Sequence, residues 1–205
     1  GAIVNLSQAI NVSQGVNGNG ANVTQNAGST VNIGTSLNMS GNAATGGTSF
    51  YTVLGTLTID DDLNAGAAFA ATFSLIGDSA TVSVGRAVNA KAKSTFEFEL
   101  NATGVSSIDA VGALTVDDGA KLVIDGSAYA GGNTDITLFD AASMTGSFAA
   151  SDITVTGLGV KGTGWTLTQG TNGDVVLGVI PEPAAVTLVA LTGLSFLFIK
   201  RRLTR

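Results

Sequence analysis

From Ala2 to Asn42, apolar residues alternate with Asn, Ser, Thr and Gln, as in "VNLSQAINVS" and "TVNIGTSLNM". Alternation with a period of two turns one side of the chain inward and the other toward water, which predicts half-buried strands. Gly-Asn-Gly at 18–20 and Gly41-Asn42 interrupt the pattern with residues that favour turns. Similar strand segments occur at 53–60 ("VLGTLTID"), 80–85 ("ATVSVG"), 94–100 ("STFEFEL"), 112–116 ("GALTV") and 120–126 ("AKLVIDG"). Four more lie at 134–140 ("TDITLFD"), 152–157 ("DITVTG"), 164–169 ("GWTLTQ") and 174–180 ("DVVLGVI").

Several of these segments share one pattern, in which two aliphatic residues flank a polar one and Asp, Ser or Gly comes next. Their first aliphatics are Leu37, Leu57, Val82 and Leu114, at sequence spacings of 20, 25 and 32. The first two spacings match one coil of a parallel β-helix, and the third leaves room for an extra strand at "STFEFEL". Stacked coils of this kind share one core that no single coil could build, with Val, Ile, Leu and Phe inside and Thr, Ser and Asn outside or in ladders. The expected fold is therefore all-β, a parallel β-helix (solenoid) body over residues 1–180. A β-sandwich or jelly roll is the alternative, because it also gives strands every 8–12 residues. From about residue 135 the pattern changes. "GWTLTQGTNGDVVLGV" holds two alternating strands around Gly170-Thr171-Asn172-Gly173, which predicts a C-terminal β-hairpin cap. Trp165, the only Trp, is expected to pack within that cap.

Composition supports strands over helices. Hydrophobic residues make up 44% of the 205 and charged residues 12%, while 28 are Gly, so small and β-branched residues dominate. There is no His and no Cys, which excludes a Ser-His-Asp mechanism, a cysteine nucleophile, a thiolate metal site and a disulfide scaffold. Residues 1–180 carry fourteen acidic and five basic side chains, a net −9, whereas residues 181–205 carry a net +3. An acidic body lacks the positive charge that nucleic-acid binding requires. "GAIVNLSQAI" has neither the basic region nor the long apolar core of an export signal, so such a signal is expected to have been removed or to lie outside this sequence.

The densest carboxylates are Asp60-Asp61-Asp62, Asp117-Asp118 and Asp125. Calcium binding or paired acid/base work is their functional reading. Turn chemistry is the structural one, since each cluster directly follows an aliphatic strand. No EF-hand spacing and no Gly-Gly-x-Gly-x-Asp array is present. "FEFEL" places Glu97 and Glu99 on one side of a strand and Phe96, Phe98 and Leu100 on the other. Arg86, Lys91 and Lys93 form the only basic patch of the body and are read as a solvated loop, with an anionic glycan as the functional alternative. Asn-x-Ser/Thr occurs at Asn5, Asn11, Asn22, Asn38 and Asn101, as an Asn-, Ser- and Thr-rich chain produces by chance. No catalytic constellation and no cofactor-binding motif emerges.

The C-terminus follows a different logic. Ala184–Ile199 is a sixteen-residue run without a charge, and it includes Leu188, Leu191, Leu194, Phe196 and Phe198. As a helix it spans roughly 24 Å, close to the ~30 Å hydrocarbon core, and snorkelling basic side chains extend its reach. Lys200, Arg201, Arg202 and Arg205 come after it and are expected to remain cytoplasmic. Pro181, Glu182 and Pro183 make a stiff extended break before the run. The order Pro-Glu-Pro, apolar span, basic end resembles the PEP-CTERM sorting signal of bacterial surface proteins. That resemblance covers residues 181–205, with Pro181–Pro183 as the tripeptide, 184–199 as the transmembrane helix and 200–205 as the basic tail.

The resemblance implies an exported passenger, held in the inner membrane by its C-terminal helix and processed by an exosortase-type protease. It further implies release to the cell surface or extracellular matrix of a Gram-negative bacterium, often one that makes exopolysaccharide. The expectation is a non-enzymatic surface protein without a cofactor. A polysaccharide-binding or polysaccharide-degrading β-helix is the alternative.

Overall fold

In the computed structural model, residues 1–12, 21–40, 48–67, 69–131 and 135–180 are described. The turn signals at 18–20 and 41–42, and the whole of 181–205, lie outside those residues. The described chain is all-β, a parallel β-solenoid of about five turns. It contains no α-helix, only a single 3-10 turn at Ala150–Asp152.

Three faces make up each coil. The first face stacks β1 (Ile3–Leu6), β4 (Thr30–Ile33), β7 (Thr56–Ile59), β10 (Thr81–Val84) and the first half of β13 (Ile108–Val116). The second face stacks β2 (Ile10–Val12), β5 (Leu37–Met39), β8 (Leu63–Ala65), β11 (Val88–Ala90) and the second half of β13. The third stacks β3 (Asn22–Gln25), β6 (Ser49–Val53), β9 (Ala71–Ile76), β12 (Ser94–Glu99), β14 (Lys121–Asp125) and β16 (Ile153–Thr156). All of these pairs are parallel.

The register corrects the coil length read from sequence. Leu57 does stack on Val82. Leu37, however, stacks on Leu63 and not on Leu57, and Leu114 stacks on Val88 and not on Val82. The second face is built from the pairs Ile10–Leu37, Leu37–Leu63, Leu63–Val88 and Val88–Leu114, whose sequence offsets are 27, 26, 25 and 26. The spacings of 20 and 32 join positions on different faces. The confusion has a physical source, since the first two faces both read aliphatic-polar-aliphatic and differ only in which corner precedes them.

Alternation along each strand sends alternate side chains into one continuous core. On the second face Leu37, Leu63, Val88 and Leu114 form one fully buried column and Met39, Ala65, Ala90 and Val116 the next. On the third, Tyr51, Phe73 and Phe96 stack coil upon coil with ring centroids 5.9 Å apart at each step. Phe139 extends this aromatic cluster, lying 5.3 Å from both Phe96 and Phe98 and 5.9 Å from Phe148. Such pairs contribute about 0.5–1.5 kcal/mol each beyond the area they bury. Glu97 and Glu99 point outward from β12 while Phe96 and Phe98 are fully buried, the division that alternation requires.

The C-terminal strands depart from the parallel coil. β15 (Asp135–Thr145) pairs parallel with β13, then antiparallel with β18 (Val175–Val179). β17 (Trp165–Gln169) pairs antiparallel with β18. Val175 and Leu177 are fully buried and Trp165 is 7% exposed, so this region belongs to the same core.

Candidate functional site

Outward-facing residues repeat from coil to coil, so each face presents a row of like groups one strand spacing, about 4.8 Å, apart. On the second face the row is Asn11, Asn38, Asn64 and Asn89. The amide nitrogen of each donates to the side-chain oxygen of the preceding one, at 3.0, 2.8 and 2.8 Å. Asn32 donates to Asn5 at 2.7 Å on the first face. These ladders account for three of the five Asn-x-Ser/Thr positions. Asn101 donates to Asp78 at 2.6 Å, and Asn22 lies exposed on β3. The sequence pattern anticipates laddered Asn but not which Asn take part. The signal is nonetheless present, as Asn recurring at spacings of 27, 26 and 25.

The corner between the first two faces holds the Asp60–Asp62 cluster. Ser36 donates its hydroxyl to the Asp61 carboxylate at 3.0 Å, and the Arg86 guanidinium donates to the same carboxylate at 2.7 Å. The Ala87 backbone N–H donates to Asp62 at 3.0 Å. Three coils are therefore stitched by one corner. The Arg86 hydrogen bond, with a smaller one from Ser36, holds the Asp61 carboxyl below its usual range. Gly85 is required beside it, because a Cβ there would lie 2.2 Å from the Asp60 carbonyl oxygen.

Asp117, Asp125 and Asp78 likewise meet local partners. Lys91 lies 3.6 Å from Asp117. Asp125 accepts from the Ser127 backbone N–H at 2.9 Å and the Thr156 hydroxyl at 3.1 Å. Hydrogen bonds at Ser127 and Thr156 hold its carboxyl low. Thr103 and Asn101 do the same for Asp78. Lys93 sits 5.4 Å from the Phe69 ring centre, so Arg86, Lys91 and Lys93 each engage a separate neighbour. Among the described residues, no group of three or more His, Cys, Asp or Glu side chains is placed to hold a metal ion.

One open groove of about 460 Å³ crosses the first face. Its floor is the outward row Thr58, Ser83, Asp109 and Asp140 from successive strands, with Asp60 and Val111 at its side. The sequence pattern does not single out Asp109 or Asp140, because they are distant in the chain and become neighbours only through the β13–β15 register. Ser107 donates to the Asp109 carboxylate. The groove is open, with the outward polar side chains of its floor set among Ile59, Val84, Ala110 and the exposed Val111.

The proposed sorting residues, Pro181 to Arg205, lie outside the described residues. Within the described residues no helix is long and apolar enough to cross a membrane. No family model, curated protein or solved structure matches this chain.

Proposed function

We propose that this chain is a non-enzymatic, exported surface or extracellular-matrix protein whose residues 181–205 are a PEP-CTERM sorting signal. The observation that carries this reading is the order of Pro181-Glu182-Pro183, the uncharged run 184–199 and the basic residues 200–205. In this reading the run crosses the inner membrane as a helix and an exosortase-type protease cleaves near the tripeptide. The β17–β18 pair acts as the C-terminal cap of the passenger. A solenoid suits a passenger role because its outward Asn ladder and the Ser36–Asp61–Arg86 corner join coil to coil. The test is fractionation of bacteria that encode an exosortase and express the chain with and without Glu182→Ala. The sorting reading predicts a released, shortened wild-type body and a membrane-retained variant. Equal processing of both would refute it.

The groove on the first face favours a second reading, binding of an extended polysaccharide. The row Thr58, Ser83, Asp109 and Asp140 offers hydrogen-bonding groups at a regular spacing. Glycan-array binding that is lost in Asp109→Asn/Asp140→Asn, without turnover of the glycan, supports this reading. Turnover would instead make the protein an enzyme.

A further inference from the structure

The two most exposed large aliphatic side chains among the described residues are Val111, at 77%, and Val160, at 72%. Their surroundings differ in charge. Val111 borders the groove that holds Asp60, Asp109 and Asp140. Val160 lies in the loop 157–164 between β16 and β17, and Lys161, which follows it, is the one charged residue between Asp152 and Asp174. Within a body of net −9, this stretch carries a net +1 beside an apolar side chain left in water.

Backbone hydrogen bonds fix the loop beside Ile180, the residue before Pro181. The Gly164 N–H donates to the Val160 carbonyl at 2.7 Å, and the Ile180 N–H donates to the Gly164 carbonyl at 3.0 Å. Two hydrogen bonds therefore join Val160 to Ile180 through Gly164. The Gly162 N–H donates to the Trp165 carbonyl at 2.7 Å, and the Lys161 ammonium lies 5.8 Å from the centre of the Trp165 ring. Asp135 pairs with Gly178 on the side of β18 away from β17, so β18 separates its strand from the loop.

We propose that this loop is a membrane-contact site, where Val160 enters the headgroup layer and Lys161 meets the phosphates of anionic lipids. The proposal rests on the reading of 184–199 as a membrane span, which leaves only Pro181–Pro183 between Ile180 and the bilayer. An exposed apolar residue beside a basic one suits an anionic interface, the first by leaving water and the second by charge. Each contact is weak alone. The span tethers the loop at the surface, however, so the contact is intramolecular and needs little affinity of its own. Carboxylates around Val111 disfavour the same role there, because an anionic surface repels them. Docked through the loop, the body turns one fixed side to the membrane and holds the tripeptide between the two.

The full chain reconstituted in phosphatidylethanolamine–phosphatidylglycerol vesicles tests this. With no native cysteine, Val160→Cys and Val111→Cys each carry a single fluorophore, read against lipids that bear a nitroxide quencher on the headgroup. Quenching is expected at 160 and not at 111. Lys161→Gln should weaken the contact at 160 by about fivefold, as loss of one basic charge at an anionic surface does. Equal quenching at both positions, or quenching at 160 that ignores Lys161→Gln, would overturn the proposal. Alkaline carbonate extraction separates it from the reading on which it rests. A chain retained after extraction with position 160 unquenched overturns the loop contact alone, whereas a chain stripped away overturns the span and the loop contact together.

Discussion

At the C-terminal end of the solenoid, Val175 and Leu177 of β18 are fully buried against β15, while at the N-terminal end Val4 and Leu6 are 44% and 37% exposed. Val4 and Val175 lie at the two ends of one inward column, Val4–Val31–Leu57–Val82–Ile108–Phe139–Val175, so the difference lies in how that column ends along the axis. On the first face the column meets β18, a strand that runs antiparallel to β15, whereas on the third face β16 pairs only with β14 among the described residues. Gln169 reinforces the end at β18, since its side chain accepts from the Phe148 N–H at 2.8 Å and donates to the Phe148 carbonyl at 3.0 Å. Among the described residues Val4 and Leu6 of β1 are flanked by β4 alone. In a stack of nearly identical coils, stability depends on neighbours on both sides, so the two ends should respond unequally to the same kind of damage.

The largest inequality is expected for truncations of core side chains. Phe139→Ala removes a ring that touches Phe96, Phe98 and Phe148, and should cost about 3–5 kcal/mol in denaturant unfolding. Val4→Ala should cost below about 0.5 kcal/mol, as changes at exposed positions do. Similar costs for the two would break the comparison. Gly173→Ala comes next, because Gly173 has φ +98 and an added Cβ would lie 2.2 Å from the Ala141 carbonyl oxygen. It should destabilise by about 1–3 kcal/mol and speed amide exchange in β15 while leaving β4 and β5 unchanged.

Smaller effects sharpen the contrast between interior and terminal coils. Asn64→Ala removes two ladder hydrogen bonds and should cost about 1–2 kcal/mol, against roughly half that for Asn11→Ala, which has one such bond among the described residues. Tyr51 gives a pH signature, since burial pushes its hydroxyl up to about 12 from 10.0. The unfolded state therefore releases this proton first. The stabilisation is complete below pH 10 and is lost as pH rises toward 12. Tyr51→Phe should flatten that alkaline decline, which near-ultraviolet circular dichroism would follow. Arg86→Ala is expected to have the least effect on stability, within about 0.5 kcal/mol, because the Arg86–Asp61 pair is exposed. It should still raise the Asp61 pKa, which carboxylate NMR titration reads directly.

Much of the solenoid is legible in the sequence wherever a strand is long enough to alternate. "ATVSVG", "STFEFEL" and "AKLVIDG" coincide with β10, β12 and β14 to within a residue at either end. The three-residue strands β8 and β11, "LNA" and "VNA", carry too little alternation to stand out. Coil register is misread for a related reason, because short aliphatic-polar-aliphatic segments on neighbouring faces are interchangeable by pattern. Turn chemistry at Asp61 and Asp62 follows from their position after β7, but the Asp61 bonds to Ser36 and Arg86 depend on the coils before and after it. The Asp109–Asp140 groove is hidden because those residues are 31 apart, against 25–27 between paired positions of the earlier coils, so no fixed period links the two.

The three-faced coil is the claim on which the ladders, the corner and both ends depend. Paired cysteines test it directly in a chain that has none of its own. Asn38→Cys/Asn64→Cys joins positions that face each other across β5 and β8, whereas Asn38→Cys/Thr58→Cys joins positions on different faces. A bifunctional thiol reagent spanning about one strand spacing should link the first pair within a single chain and leave the second unlinked. Efficient linkage of 38 to 58, with none between 38 and 64, would contradict the register and the solenoid built on it.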